Sequence, residues 1–116
     1  MNTTTTETHD MISSDRVDGT AVYGRGGDRI GSVHHLMIGK RGKVRHAVVS
    51  YGGFLGMGED HFPLPWNELT YSEDRGGYVV NRDADQLKNA PHYGRDKEPQ
   101  WNSDYDRQVT GYYGAL

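Results

Sequence analysis

From Gly19 to Asn81 the chain alternates short apolar or β-branched runs with glycine-rich, charged breaks. Thr20-Ala21-Val22-Tyr23 is followed by the break Gly24-Arg25-Gly26-Gly27-Asp28. Ile30 to Ile38 is a second run, closed by Gly39-Lys40-Arg41-Gly42, and Val44 to Tyr51 is a third. Phe62-Pro63-Leu64 reads as an edge strand or strand end, because proline cannot donate to a ladder. Tyr78-Val79-Val80 follows the Ser72-to-Gly77 turn. Short strands at this spacing predict a mainly β, barrel-like or sandwich domain of about five or six strands. The second run breaks strict alternation, with Val33, His35 and Met37 on one phase and His34, Leu36 and Ile38 on the other. That pattern implies a strand covered on both faces, or a bulge that switches phase.

The helical signals come late. Asp83-Ala84-Asp85-Gln86 fits a capping box, and Pro91 stops that helix near Ala90. Tyr105, Val109, Tyr112 and Tyr113 follow helical spacing, with Ser103 as the expected cap and Gly114 as the stop. Residues 1–11, with four consecutive threonines, read as a solvated, disordered arm. Residues 93–116 differ, since five of the twelve aromatics (Tyr93, Trp101, Tyr105, Tyr112, Tyr113) lie there. Aromatics at that density imply a segment that docks on something.

Composition narrows the function classes. At 116 residues and 13.0 kDa the chain suits one core. The absence of cysteine removes disulfide frameworks, thiolate metal sites and cysteine nucleophiles. No apolar run approaches the ~20 residues of a membrane helix, and no Sec-type leader is visible, so the expectation is a cytoplasmic domain. Net charge is −3, whereas dedicated nucleic-acid binders carry a basic excess. Lys40, Arg41, Lys43 and Arg45 form one basic hairpin, read as a solvated turn and as the weak candidate for RNA contact.

The middle of the chain resembles a known family. Arg16-Val17-Asp18-Gly19-Thr20-Ala21-Val22-Tyr23, Asp28-Arg29-Ile30-Gly31-Ser32-Val33, Val44-Arg45-His46-Ala47-Val48-Val49, Gly52 to Gly58 and Pro63-Leu64-Pro65-Trp66-Asn67-Glu68-Leu69 resemble, in order, the blocks of a PRC-barrel domain. The resemblance covers residues 12–92, with residues 93–116 as an aromatic C-terminal extension, and it implies a small, strongly bent β-barrel. The family's barrel occurs in photosynthetic reaction-centre H subunits, in ribosome-maturation factors and in stand-alone bacterial proteins. The membrane helix of the first and the extra N-terminal domain of the second have no counterpart here, and the resemblance brings no catalytic residues.

The remaining constellations are weak. Gly52 to Gly58 lacks the order of a phosphate loop, but it places Phe54, Leu55 and Met57 on a glycine-hinged excursion. Those three, with Trp101, Tyr105, Tyr112 and Tyr113, are the candidate interaction residues, loop and tail being expected to help bury one another. His34 and His35 are adjacent on a strand, so their side chains should point apart and not share an ion. His34 and His46 could meet across paired strands, and Glu59-Asp60-His61 is a local cluster, but the reading is ordinary surface and barrel-wall histidines, with no metal site or cofactor expected. None of the serines stands in a Gly-x-Ser-x-Gly setting. The sequence thus points to a non-enzymatic module for protein–protein contact, including self-association as a homodimer or higher oligomer, with nucleic acid not an expected partner. The alternatives are a ribosome- or RNA-associated module and a small-ligand or metal sensor.

Overall fold

The computed structural model describes residues 11–52, 59–94 and 96–116. The arm before Met11 and the loop bearing Phe54, Leu55 and Met57 lie outside the described residues. A short helix α1 (Ser14–Val17) precedes β1 (Ala21–Tyr23), β2 (Arg29–Ile38), β3 (Val44–Gly52) and β4 (Glu59–Pro65). A 3₁₀ turn (Trp66–Glu68) leads into β5 (Leu69–Ser72) and β6 (Gly77–Val80). Helix α2 (Ala84–Lys88), the two-residue β7 (Tyr93–Gly94) and helix α3 (Ser103–Gly114) complete the chain.

The seven strands form one sheet in the order β5-β6-β1-β2-β3-β4-β7. Only β1 and β6 run parallel; every other pair is antiparallel. The sheet is bent into a barrel-like form that hydrogen bonds do not close. Bending requires close backbone approach, and Gly31 supplies it: a Cβ there would stand 2.0 Å from the Ser50 carbonyl oxygen. The second strand resolves its phase conflict with bulges, at Val33/His35 and at Met37/Ile38.

Along β3, buried His46 and Val48 alternate with buried Ala47 and Val49, so both faces are covered. Val22, Val33, Ala47, Val49, Leu64 and Val80 lie in the core, joined by Leu87 of α2. Val109 and Tyr113 of α3 belong to that same core, at 0% and 3% exposure. The aromatic extension therefore docks on its own barrel and shares the interior with it.

Strand β7 pairs only with Asp60 and His61, so Pro63 and Pro65 sit where the far edge of β4 has no partner strand among the described residues. Helix α3 packs against β4, a common way of shielding a strand edge. The capping box of α2 forms as its sequence implies, Asp83 accepting from Gln86 N–H and Gln86 accepting from Asp83 N–H. In α3 the cap lies one residue earlier than expected: Asn102 accepts from Tyr105 N–H, and Ser103 is the first helical residue. Both are short polar side chains suited to the position, and Asn ranks with Ser as an N-cap.

Candidate functional site: a basic-rimmed cleft between the β2–β3 hairpin and α3

The β2–β3 hairpin and the start of α3 enclose a cleft of about 420 Å³. Met37 and Ile38 from the end of β2 and Trp101 from the segment before α3 supply its apolar lining. Ile38 is 56% exposed on its lip. Lys40 and Arg45 stand on the rim, and His46 and Asp106 lie behind them.

Local sequence explains each position. The bulge at Met37/Ile38 turns the end of β2 and presents Ile38 to solvent instead of to the core. Gly42, at φ 103°, permits the tight turn that carries Lys40, Arg41 and Lys43, all exposed. Trp101 is held from several sides. Its Nε1–H donates to Glu98 Oε2 at 2.8 Å, and its ring meets Tyr105 edge-on at 5.1 Å, Tyr93 at 6.2 Å and His46 at 6.0 Å. The hydroxyls of Tyr93 and Tyr105 are buried without a partner, and burial raises the pKa of both phenols.

The polar groups behind the rim are spent on one another. Asp106 Oδ2 accepts from Arg45 at 2.8 Å, and Asp106 Oδ1 accepts from His46 Nε2 at 2.6 Å. His46 Nδ1 is buried and has no hydrogen-bond partner. A His–Asp pair is a familiar element of general-base catalysis, where the far nitrogen must reach the reacting group. Here that nitrogen faces the protein interior, so the pair fastens α3 to β3.

The candidate residues of the sequence reading therefore separate. Trp101, Lys40 and Arg45 come together at the cleft, with Arg41 and Lys43 on the same hairpin. Tyr105 is half-buried behind Trp101, Tyr112 donates its hydroxyl to the Gln86 carbonyl, and Tyr113 lies in the core. His46 and Asp106 were not singled out for this role; the available signal was a histidine embedded in an apolar run, which implies a buried partner. His34 and His46 do not meet. His46 stands opposite Met37, while His34 makes an edge contact with His61 at 4.8 Å.

With this geometry in view, residues 9–87 match the PRC-barrel domain family. The chain belongs to that family. Over 80 residues it is 30% identical to an uncharacterized protein of Deinococcus radiodurans, an alignment covering 68% of this chain and 28% of that protein. The chain thus spans less than a third of that relative's length. Trp101, Asp106 and all of α3 lie beyond the matched residues, so one wall of the cleft comes from the segment that follows the PRC barrel match. No helix among the described residues is long and apolar enough to cross a membrane.

Proposed function

We propose that this PRC barrel is a non-enzymatic protein-interaction module whose cleft receives a segment carrying an apolar side chain next to a carboxylate. The observation that carries this reading is the combination of exposed Ile38 and half-buried Trp101 with a basic rim in one cleft. An exposed apolar residue beside an aromatic wall favours a partner's aliphatic or aromatic side chain. Asp106 already neutralises Arg45, whereas Lys40, Arg41 and Lys43 retain their charge for the partner and steer its approach. A second copy of the chain is one source of such a segment, consistent with assembly into a dimer.

A photo-crosslinking residue at position 38, introduced at native expression level, is expected to trap one protein at high yield. The Lys40→Glu/Lys43→Glu variant should lose that product, because the rim then repels a carboxylate. Light scattering on the purified chain shows whether the trapped protein is the chain itself, by a mass of about twice 13.0 kDa. Trapping of RNA instead would favour the ribosome-associated reading, and a crosslink unaffected by the charge reversal would overturn the proposal.

A further inference from the structure

Strand β2 carries one residue too many where it crosses β3. Val33 pairs with Val49 and His35 with Val48, so His34 has no partner of its own across the ladder. Strict alternation sends adjacent side chains to opposite faces, but a bulge cancels that step. The two Nδ1 atoms consequently lie 2.8 Å apart. This overturns the expectation that the two imidazoles point away from each other. Their ring centroids are 5.0 Å apart at an interplanar angle of 79°, so the rings meet nitrogen to nitrogen and are not stacked. In two neutral imidazoles so placed, the Nδ1–H of one ring donates to the Nδ1 lone pair of the other. His34 is exposed and His35 half-buried, while the ring of His61 on β4 walls one side.

We propose that His34 and His35 form a bidentate site for a divalent transition-metal ion of tetragonal preference, Cu(II) or Ni(II), bound through both Nδ1 atoms; the ring that carried the Nδ1–H releases that proton to water and takes one up at Nε2, so both ligands stay neutral. Imidazole nitrogen suits both ions. The span selects the geometry. At metal–nitrogen distances of about 2.0–2.1 Å, a right-angled edge measures about 2.9 Å and a tetrahedral edge about 3.4 Å. The observed 2.8 Å corresponds to the right-angled edge, and each ring turns to aim its Nδ1 lone pair at the ion. No group of three or more His, Asp or Glu among the described residues is arranged to hold an ion, so water completes the coordination on the exposed side. Burial, then His34 and His61, disfavour a proton on His35, while the carboxylates of Glu98 and Asp18 attract positive charge to it. Metal binding requires the unprotonated imidazole, so affinity should fall as the pH is lowered.

The test is calorimetric titration of the untagged full-length chain with NiCl₂ in a non-chelating buffer at neutral pH, repeated for His34→Ala, His35→Ala and, as a control, His92→Ala. One ion per chain is expected. The first two substitutions should each weaken Ni(II) binding at least tenfold, roughly the lower bound for losing even an outer-shell partner of a metal site. The control should leave it unchanged, and Cu(II) should bind more tightly than Ni(II). Substoichiometric Cu(II) added to the wild-type chain gives a readout free of any folding defect: the imidazole resonances of His34 and His35 should broaden first. Absence of Ni(II) binding, wild-type affinity in the His34→Ala or His35→Ala chain, or broadening centred on another histidine would overturn the proposal.

Discussion

His46 Nε2 donates to Asp106 Oδ1 at 2.6 Å across a separation of 60 residues, tying the middle of the barrel to the C-terminal helix. The histidine side chain is 3% exposed and the carboxylate 31%. Arg45 loads the other oxygen of the same carboxylate, so one side chain of α3 satisfies two neighbouring residues of β3.

Replacing Asp106 by Ala leaves His46 Nε2 buried without an acceptor and frees Arg45. Hydrogen bonds to charged groups contribute about 1.5–3 kcal/mol, so Asp106→Ala should cost about 2 kcal/mol in a urea titration. Asp106→Asn keeps an acceptor for His46 but not the charge, and should cost less. Amide exchange in α3 should accelerate more than in β1 or β2. An unchanged midpoint for Asp106→Ala would remove the anchoring role from this pair.

Arg82 provides a second anchor at the opposite end of α3. Its Nε donates to Glu68 Oε1 at 2.8 Å and its Nη2 to Glu68 Oε2 at 3.1 Å, with a further bond from Nη2 to the Tyr113 carbonyl at 3.3 Å. The hydrogen bond to Glu68 raises the pKa of the guanidinium. Both side chains are under one-fifth exposed. Breaking a fully buried pair costs about 3–5 kcal/mol, and solvent access lowers that, so Arg82→Ala should cost about 2 kcal/mol. Lysine cannot reproduce the two-pronged geometry, and Arg82→Lys should recover less than half of the loss.

These anchors show where sequence reading reaches its limit. Local signals were legible: the capping box at Asp83 and Gln86, the face defined by Tyr105, Val109, Tyr112 and Tyr113, and the phase break in β2. Leu69-Thr70-Tyr71-Ser72 was not read as a strand, because its half-exposed residues carry no alternation and only pairing with β6 defines it. The four-residue α1 and two-residue β7 are too short to establish a period. Of the cleft, Trp101 and the basic hairpin were visible as residue types. The His46–Asp106 contact was not, since it exists only once α3 has docked. The convergence of His34 and His35 depends on which residue absorbs the bulge, and a hydrophobic pattern does not specify that.

Protonation of His35 should couple to stability. The pKa of His35 is lowered from 6.5 in the folded chain, chiefly by burial and then by His34. The unfolded chain therefore binds more protons as pH falls below about 6.5, and stability declines from there until pH passes below the folded value. Thermal melts at pH 7.5, 6.5 and 5.5 should show this descent, and His35→Asn should make it shallower. A melting temperature flat across that range, or a slope unaffected by His35→Asn, would contradict the coupling.

The Tyr113 hydroxyl is buried in the core without a hydrogen-bond partner, and burial raises its pKa well above the ordinary phenol value. A buried polar group left unpaired costs about 1–3 kcal/mol, while the ring itself fills core volume. Tyr113→Phe keeps the ring and removes the unpaired group, so it should stabilise the chain by about 1 kcal/mol. A loss of stability in urea would mean that the hydroxyl does find a partner in solution.

Deleting residues 101–116 tests whether the barrel stands without its extension. The sequence alone, with strands and turns ending by Asn81, suggests a barrel that stays folded when residues 95–116 are deleted. The packing argues otherwise. Val109 and Tyr113 are 0% and 3% exposed within the core that holds Val22, Leu64 and Val80. Burying two such side chains stabilises the fold by about 3–6 kcal/mol. Their removal also strips the acceptors from His46 and from one Arg82 bond. A small domain holds only about 5–15 kcal/mol in reserve, so the loss of these contacts is enough to matter. The truncated chain should bind hydrophobic dye, melt with reduced cooperativity and aggregate at micromolar concentration. A sharp melt at the full-length temperature with no dye binding would show that α3 is dispensable to the core, and Val109→Ala should then be silent as well.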